Sequence, residues 1–487
     1  MSDVAYVSDA DRRRLERYLR GKQRGTSLET DAAITPRSFL GPAPLSFSQE
    51  QVLRLARNNP DYPPFYNECV VLHRQGPLDR FVLERSLLEI IRRHEIWRTT
   101  YDTVDGRLVQ IVHSPPKDIS LPVLDLRGLP IVAQEHELIH YVGELAQRPF
   151  DLKRGPLLRF LLVNVEDHVH RLFLIAHQSI IDGVSAYQVF PTEVATLYEA
   201  FGARHCSLLP EPMIQFADYA DWQRSSLVGE RLDQQLSYWR TQLCGHLPIV
   251  DWPITLTHSP TATHRGAILP FAFKKELAGA LRSMARREGI TLFMALLSGF
   301  VALLHSYTSQ SNIVVATLSP AGRKRTELLK LLGYFLNPVV LRFDLSCNPT
   351  LHQLLQRTRE VVSDAISHDD VPLEMVAEEL RVRSDSSRIP FCNVAVSLQP
   401  PVPESVRDGW DVTSMDVGNG GAPWDLYIAF LDRADGLIGR AQYNLDLFDR
   451  EVLRHMLRDL EVLFETLIVS PDLHLAELHK LTDKLSA

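Results

Sequence analysis

Cysteine is scarce: five residues in 487 (Cys69, Cys206, Cys244, Cys347 and Cys392), scattered and never in a C-x-x-C pair. An odd, dispersed set suits reduced thiols, excludes a disulfide-stapled scaffold and offers no thiolate metal site. Excess basic charge is lacking as well. Lys and Arg total 52 against 60 Asp and Glu, a net charge of −8, so no electrostatic footprint for nucleic acid or an anionic membrane is present. Long apolar runs are also missing. The most apolar helix-like stretch, 292–304, includes Ser298 and Gly299 and falls short of the roughly 20 residues a spanning helix needs. The N-terminus is charged and has no apolar signal core. No GxxxxGK[ST] phosphate loop, G-x-S-x-G elbow or H-E-x-x-H occurs. His168, His170 and His177 are close in sequence but fall at opposite ends of one predicted strand, so no metal site is expected. What remains is a soluble, cytoplasmic protein.

Hydrophobic residues at 45% and charged residues at 23% describe an ordinary globular chain with material for one or two cores. Segment 76–94 carries Leu78, Phe81, Val82, Leu87, Leu88 and Ile91 at helical spacing. Segments 108–113, 157–165 and 170–177 read as strands, the last apolar enough to lie inside a sheet, and a helix follows at 185–201. Residues 208–260, dense in Pro and Trp, read as a crossover, after which helices and strands alternate again. The expected fold is α/β (α+β) with mixed sheets in two halves of similar size. The divisions are 1–43, a short helix at 9–22 on a tether; 44–207, the first half; and 208–487, the crossover and second half.

The informative segment is 176–185, AHQSIIDGVS. A buried strand delivers polar groups to its end, and Asp182-Gly183 then turns the chain into a helix, a rigid way to present reacting groups. This segment resembles the HHxxxDG signature of condensation domains from nonribosomal peptide synthetases. Other motifs of that family follow in order: LSFSQ at 45–49, RHEIWRT at 93–99, RPFDL at 148–152 with GPL at 155–157, and FADYADWQ at 216–223. AGR at 321–323, GYFLN at 333–337 with Arg342, HDDVPLE at 368–374, SRIPF at 387–391, and YN with DLF at 443–448 complete the series. The resemblance covers roughly 44 to 475.

The resemblance implies two halves related to chloramphenicol acetyltransferase, set as a V-shaped pseudodimer around a central tunnel. It implies donor and acceptor carrier proteins as partners, whose phosphopantetheine arms bring an acyl thioester and an amine together; no cofactor is bound directly. Adjacent synthetase domains are expected too, since the chain ends near 481–483, about where the family continues into an adenylation domain. Trp222, Trp239 and Phe335 are expected in the core, and Glu95 with Arg98 in a structural ion pair.

One departure matters most. The second His of the motif is Gln178 here. His177 does not replace it, because neighbouring side chains on an extended segment face opposite ways; its expected role is structural. A neutral amide takes no proton near pH 7, which removes a general base typically worth about 10²–10⁴-fold. It can still accept a hydrogen bond from an amine or donate to an oxyanion, and the Gly183 N–H can assist. Asp182 is expected to be structural, paired with Arg323 or Arg342, and Asn337 belongs to the same motif set. Gln51 and Pro338 stand where the family usually has Arg and Thr. Three functions fit: an active condensation domain with Gln178 orienting the amine, an inactive domain recruiting carrier proteins or a tailoring enzyme, and a transferase using a soluble donor or amine.

Overall fold

The apolar run expected to lie inside a sheet does so: it forms a strand, Val169–His177, with neighbours on both sides. The computed structural model describes residues 33–38, 41–58, 63–252, 264–382, 389–402, 409–414 and 418–478; the expected helix at 9–22, and Ser387 and Arg388, lie outside them. In chain order the strands are β1 (Ala43–Pro44), β2 (Asn67–Gln75), β3 (Thr99–Val104), β4 (Arg107–Val112), β5 (Val123–Asp125), β6 (Leu158–Glu166), β7 (Val169–His177), β8 (Gly266–Phe273), β9 (Asn312–Ser319), β10 (Asn337–Asp344), β11 (Val394–Gln399), β12 (Trp410–Ser414), β13 (Leu426–Arg433) and β14 (Gly436–Asn444). The first large sheet runs β12-β2-β7-β6-β5 and the second β10-β9-β11-β13-β14-β8; β1, β4 and β3 form a small third sheet. Both large sheets are mixed, with β5 parallel to β6 and β11 parallel to β9 and β13.

Each large sheet has its own hydrophobic core. Behind the first lies the helix Arg80–Arg93, capped by Asp79 Oδ1, which accepts the Phe81 and Val82 N–H groups at 2.8 and 3.3 Å. Its Leu83, Leu87, Ile90 and Ile91 fill the buried face, and the helix Phe190–Gly202 packs beside it. Behind the second lies the helix Leu292–Thr308, apolar all round because neighbours surround it. Gly299 lets the helix Arg450–Val469 approach: a Cβ there would sit 2.3 Å from the Phe464 ring. Among the described residues, no single helix is long and apolar enough to cross a membrane.

Two features were not read from the sequence. The crossover is not mere connection, since it contains the helices Phe216–Ser226 and Gly229–Gln242. Its described prolines, Pro210, Pro212 and Pro248, flank those helices, and Trp239 is buried with Nε1 donating to the His368 carbonyl at 2.8 Å. Secondly, β12 leaves the second half and pairs antiparallel with β2 of the first, Trp410 opposite Arg74. The first core accordingly takes Trp410, Val412 and Leu431 from the far end of the chain.

Candidate active site

β7 ends at His177, and a single 3₁₀ turn, Gln178–Ile180, follows at once. The turn is pinned from several sides. Gln178 N–H donates to the Tyr66 carbonyl at 2.7 Å, and His177 N–H to Leu157 at 2.9 Å. The Ser179 carbonyl accepts from Tyr101 Oη and from Gln49 Nε2, both at 3.3 Å. Gln49 belongs to LSFSQ, whose role is therefore to brace this turn.

His177 lies behind the turn, fully buried and outside the cavity lining. Its Nδ1 accepts the Ser179 N–H at 3.3 Å and sits 2.7 Å from Ser179 Oγ. An accepting Nδ1 carries no proton, so the hydrogen is on Nε2, which has no hydrogen-bond partner among the described residues. Tyr66 packs at 5.0 Å between ring centroids and Phe150 at 6.4 Å. Burial pushes the imidazole pKa down to about 3, which keeps the ring neutral.

Asp182 is equally occupied. Arg323 grips it with two bonds, Nε to Oδ2 at 3.0 Å and Nη2 to Oδ1 at 2.8 Å, and both side chains are fully buried. Asp182 also accepts the Ser185 N–H at 2.7 Å and the Phe335 N–H at 3.2 Å. Arg323 completes its fork on Ser185 Oγ and on the carbonyls of Leu328 and Leu331. The pair thus ties the DG turn of the first half to the GYFLN stretch of the second. Arg342, the other suggested partner, is elsewhere. It donates to Asn312 Oδ1 at 3.2 Å and to the Cys244 carbonyl at 2.8 Å, because it lies far along β10 from the turn. Asn337 is buried and donates to the carbonyls of Asp369 and Val371, both at 2.7 Å, which holds HDDVPLE against β10. Arg98 approaches Glu95 at 3.6 Å.

Gln178 and Gly183 open onto a cavity enclosing about 1270 Å³, part of it continuous with solvent. Gln51, Asn67 and Glu68 line it from the first half, and Gln399, Trp424 and Arg440 from the second. Gly183 is needed for that closeness: a Cβ would lie 2.8 Å from Gln399 Oε1 and 3.1 Å from Pro400 Cδ. A single π turn, Ser185–Val189, follows the DG pair before the helix Phe190–Gly202. The site therefore presents a neutral amide and a backbone turn at the junction of two sheets. Its histidine is held out of reach and its aspartate is saturated.

Residues 40–486 match the condensation domain family. The chain belongs to that family. It is 37% identical over 454 residues to a linear gramicidin synthase of Brevibacillus parabrevis, covering 92% of this chain and 9% of that protein. It is 34% identical to phosphinothricin tripeptide synthetase PhsC of Streptomyces viridochromogenes, covering 91% of this chain and 40% of the relative. The chain thus spans less than half the length of either relative. Among solved structures, the X-domain from teicoplanin biosynthesis superposes with a TM-score of 0.78 at 25% identity, over 91% of this chain and 99% of that one. The first condensation domain of the calcium-dependent antibiotic synthetase gives 0.78 at 18% identity, over 90% and 99%, a likeness of fold. The expected family and its α/β (α+β) fold with mixed sheets are therefore both borne out.

Sequence reading did not find the bracing by Gln49 and Tyr101, nor the cavity pair Glu68 and Arg440. For Gln49 the signal was present, since Ser46 and Gln49 form a capping pair: Ser46 N–H donates to Gln49 Oε1 at 3.1 Å, and Gln49 N–H to Ser46 Oγ at 3.2 Å. For the pair, nothing local marks residues 68 and 440 as neighbours.

Proposed function

We propose that this condensation domain forms an amide bond between an acyl or peptidyl thioester on one carrier protein and the amine of an aminoacyl group on another. The observation carrying this reading is the placement of Gln178 and Gly183 on a cavity lined from both halves, with His177 excluded from it. In this reading residues 44–207 and 208–487 are the two halves and 1–43 a leader. The domain works in the cytoplasm within a larger synthetase. The phosphopantetheine arms belong to the carriers and deliver substrate, so the domain needs no resident cofactor.

The step balances without a protein base. The unprotonated amine attacks the thioester carbonyl, the C–N bond forms, and the carbonyl oxygen takes the negative charge. The C–S bond then breaks, and the amine's surplus proton ends on the departing thiolate through solvent. Gln178 accepts an amine N–H through its carbonyl and so aligns the lone pair, while its NH₂ and the Gly183 N–H face the developing oxyanion. Holding both arms in one cavity supplies most of the acceleration, a contribution that can reach about 7–11 kcal/mol. Intact-mass measurement of loaded donor and acceptor carriers, with and without the chain, tests this. Acyl transfer above the chain-free rate is expected, following the ionisation of the substrate amine with no limb near about 6.5.

A second reading is favoured by one observation. The X-domain structures include a complex of that domain with OxyB from teicoplanin biosynthesis, so a fold of this kind occurs bound to another protein. A recruiting role here predicts carrier binding without transfer, and no rescue by Gln178→His.

A further inference from the structure

Along β14, side chains alternate between faces, so Ile438, Arg440 and Gln442 share the face turned to the first half. Ile438 packs against the first core, and Arg440 and Gln442 reach the cavity. Opposite, β2 brings Glu68 to the same cavity. Among the described residues, Glu68 is the ion partner of Arg440, at 3.6 Å from Nη2 to Oε2. That is longer than the roughly 2.7–2.9 Å of a charge-assisted hydrogen bond. The Arg440 side chain is only 17% exposed, yet this loose contact is its one ion pair there. A guanidinium carries five donors in a planar fork matched to a carboxylate. Arg323 shows what a satisfied buried arginine looks like in this protein, with five hydrogen bonds to carboxylate, hydroxyl and carbonyl oxygens. Among the described residues Arg440 has no comparable set, and Tyr187 and Tyr427 add hydroxyl-bearing rings beside it.

We propose that Arg440 is a specificity-determining residue that selects, in one of the two condensing partners, a side chain bearing a carboxylate, with Glu68 as the placeholder it leaves. This rests on the condensation reading of the same cavity. The carboxylate would take the guanidinium fork in two-bonded geometry, and Glu68, 33% exposed, would turn toward the open part of the cavity. No covalent step is involved. An apolar residue in that place would leave the Arg440–Glu68 pair intact and gain nothing from it.

The test uses the full chain with carriers loaded with aspartate or glutamate, their amides, or leucine, each placed in the donor and then in the acceptor role. The carboxylate form is expected to transfer about ten- to a hundredfold faster than its amide in one role, the range for a hydrogen-bonded charge. Arg440→Gln should abolish that preference, so that carboxylate- and amide-loaded carriers transfer at equal rates. Equal rates for carboxylate and amide in both roles overturn the proposal. So does an Arg440→Gln variant of unchanged circular dichroism that slows every substrate alike, which would make the pair a clasp between halves. If nothing transfers, pantetheine thioethers of the same amino acids are titrated by calorimetry. Carboxylate-selective binding lost in Arg440→Gln then upholds this proposal while overturning the condensation activity, and binding without that selectivity overturns the proposal.

Discussion

Replacing Arg323 by Met isolates the buried pair that joins the two halves at the site. The variant keeps the volume of the side chain and removes its charge. Asp182 would then hold its negative charge in a fully buried place on two backbone donors alone, Ser185 N–H at 2.7 Å and Phe335 N–H at 3.2 Å. Removing one member of such a pair typically costs about 3–5 kcal/mol, because the survivor is left uncompensated. Asp182→Asn strands the cation instead, although Arg323 keeps its bonds to Ser185 Oγ and to the carbonyls of Leu328 and Leu331, so the lower end of that range is expected. With both changes neither charge remains. The double variant should thus be less destabilised than the sum of the singles by about 1–3 kcal/mol. Urea unfolding of all four proteins, followed by circular dichroism and tryptophan fluorescence, reads this directly. A cost below about 1 kcal/mol for Arg323→Met, or additivity within about 0.5 kcal/mol, would falsify the assignment of the pair as the tie between turn and second half.

Gln178→His places a titratable ring in the cavity; transfer should rise, by up to about 10²-fold, with a new acidic limb near 6.5, and an unchanged rate would show that position 178 is not at the reacting centre. Gly183→Ala forces a Cβ to within 2.8 Å of Gln399 Oε1 and should depress transfer with the fold retained. The additional change Gln399→Ala should restore much of the rate, and failure to do so would place the cause elsewhere. His177 has its pKa held at about 3 in the folded chain, below the ordinary 6.5, so the unfolded chain binds the extra proton between those values. Its stabilising contribution is therefore complete above about pH 6.5 and is lost by roughly 1.4 kcal/mol per unit as pH falls towards 3. His177→Phe should flatten that stretch of the stability profile in urea titrations, and an identical slope in both proteins would refute the buried neutral ring.

Much of this was legible from local pattern. The apolar stretch ending at His177, the amphipathic helix before His94 and the helix Leu292–Thr308 each carry their period in their own residues. The turn at 178–183 was legible because strand, polar pair and DG stand in one short segment. The two helices of the crossover were not, since Trp and Pro density mimics irregular chain, although Trp222 and Trp239 sit on those helices. Nor could spacing choose between Arg323 and Arg342. That choice depends on which end of β10 meets the DG turn, a fact of tertiary packing. Glu68 and Arg440 are invisible for the same reason, being partners only because two sheets face each other across the cavity.

The placement of β12 bears on how such a protein can be cut. A fragment ending near residue 207 would carry every residue of the turn at 178–183, yet it would lack the strand that covers β2. The freed ladder edge of β2, with Val70, Val71 and Leu72 in its centre, would be a template for other chains, and aggregation is the expected fate of the fragment. The same pairing means that the first sheet is not complete until residue 410 has been synthesised and has returned to residue 74. Recombining modules by exchanging one half alone would break this return strand. Exchanges that preserve the whole stretch from β1 to the helix Arg450–Val469 leave it intact.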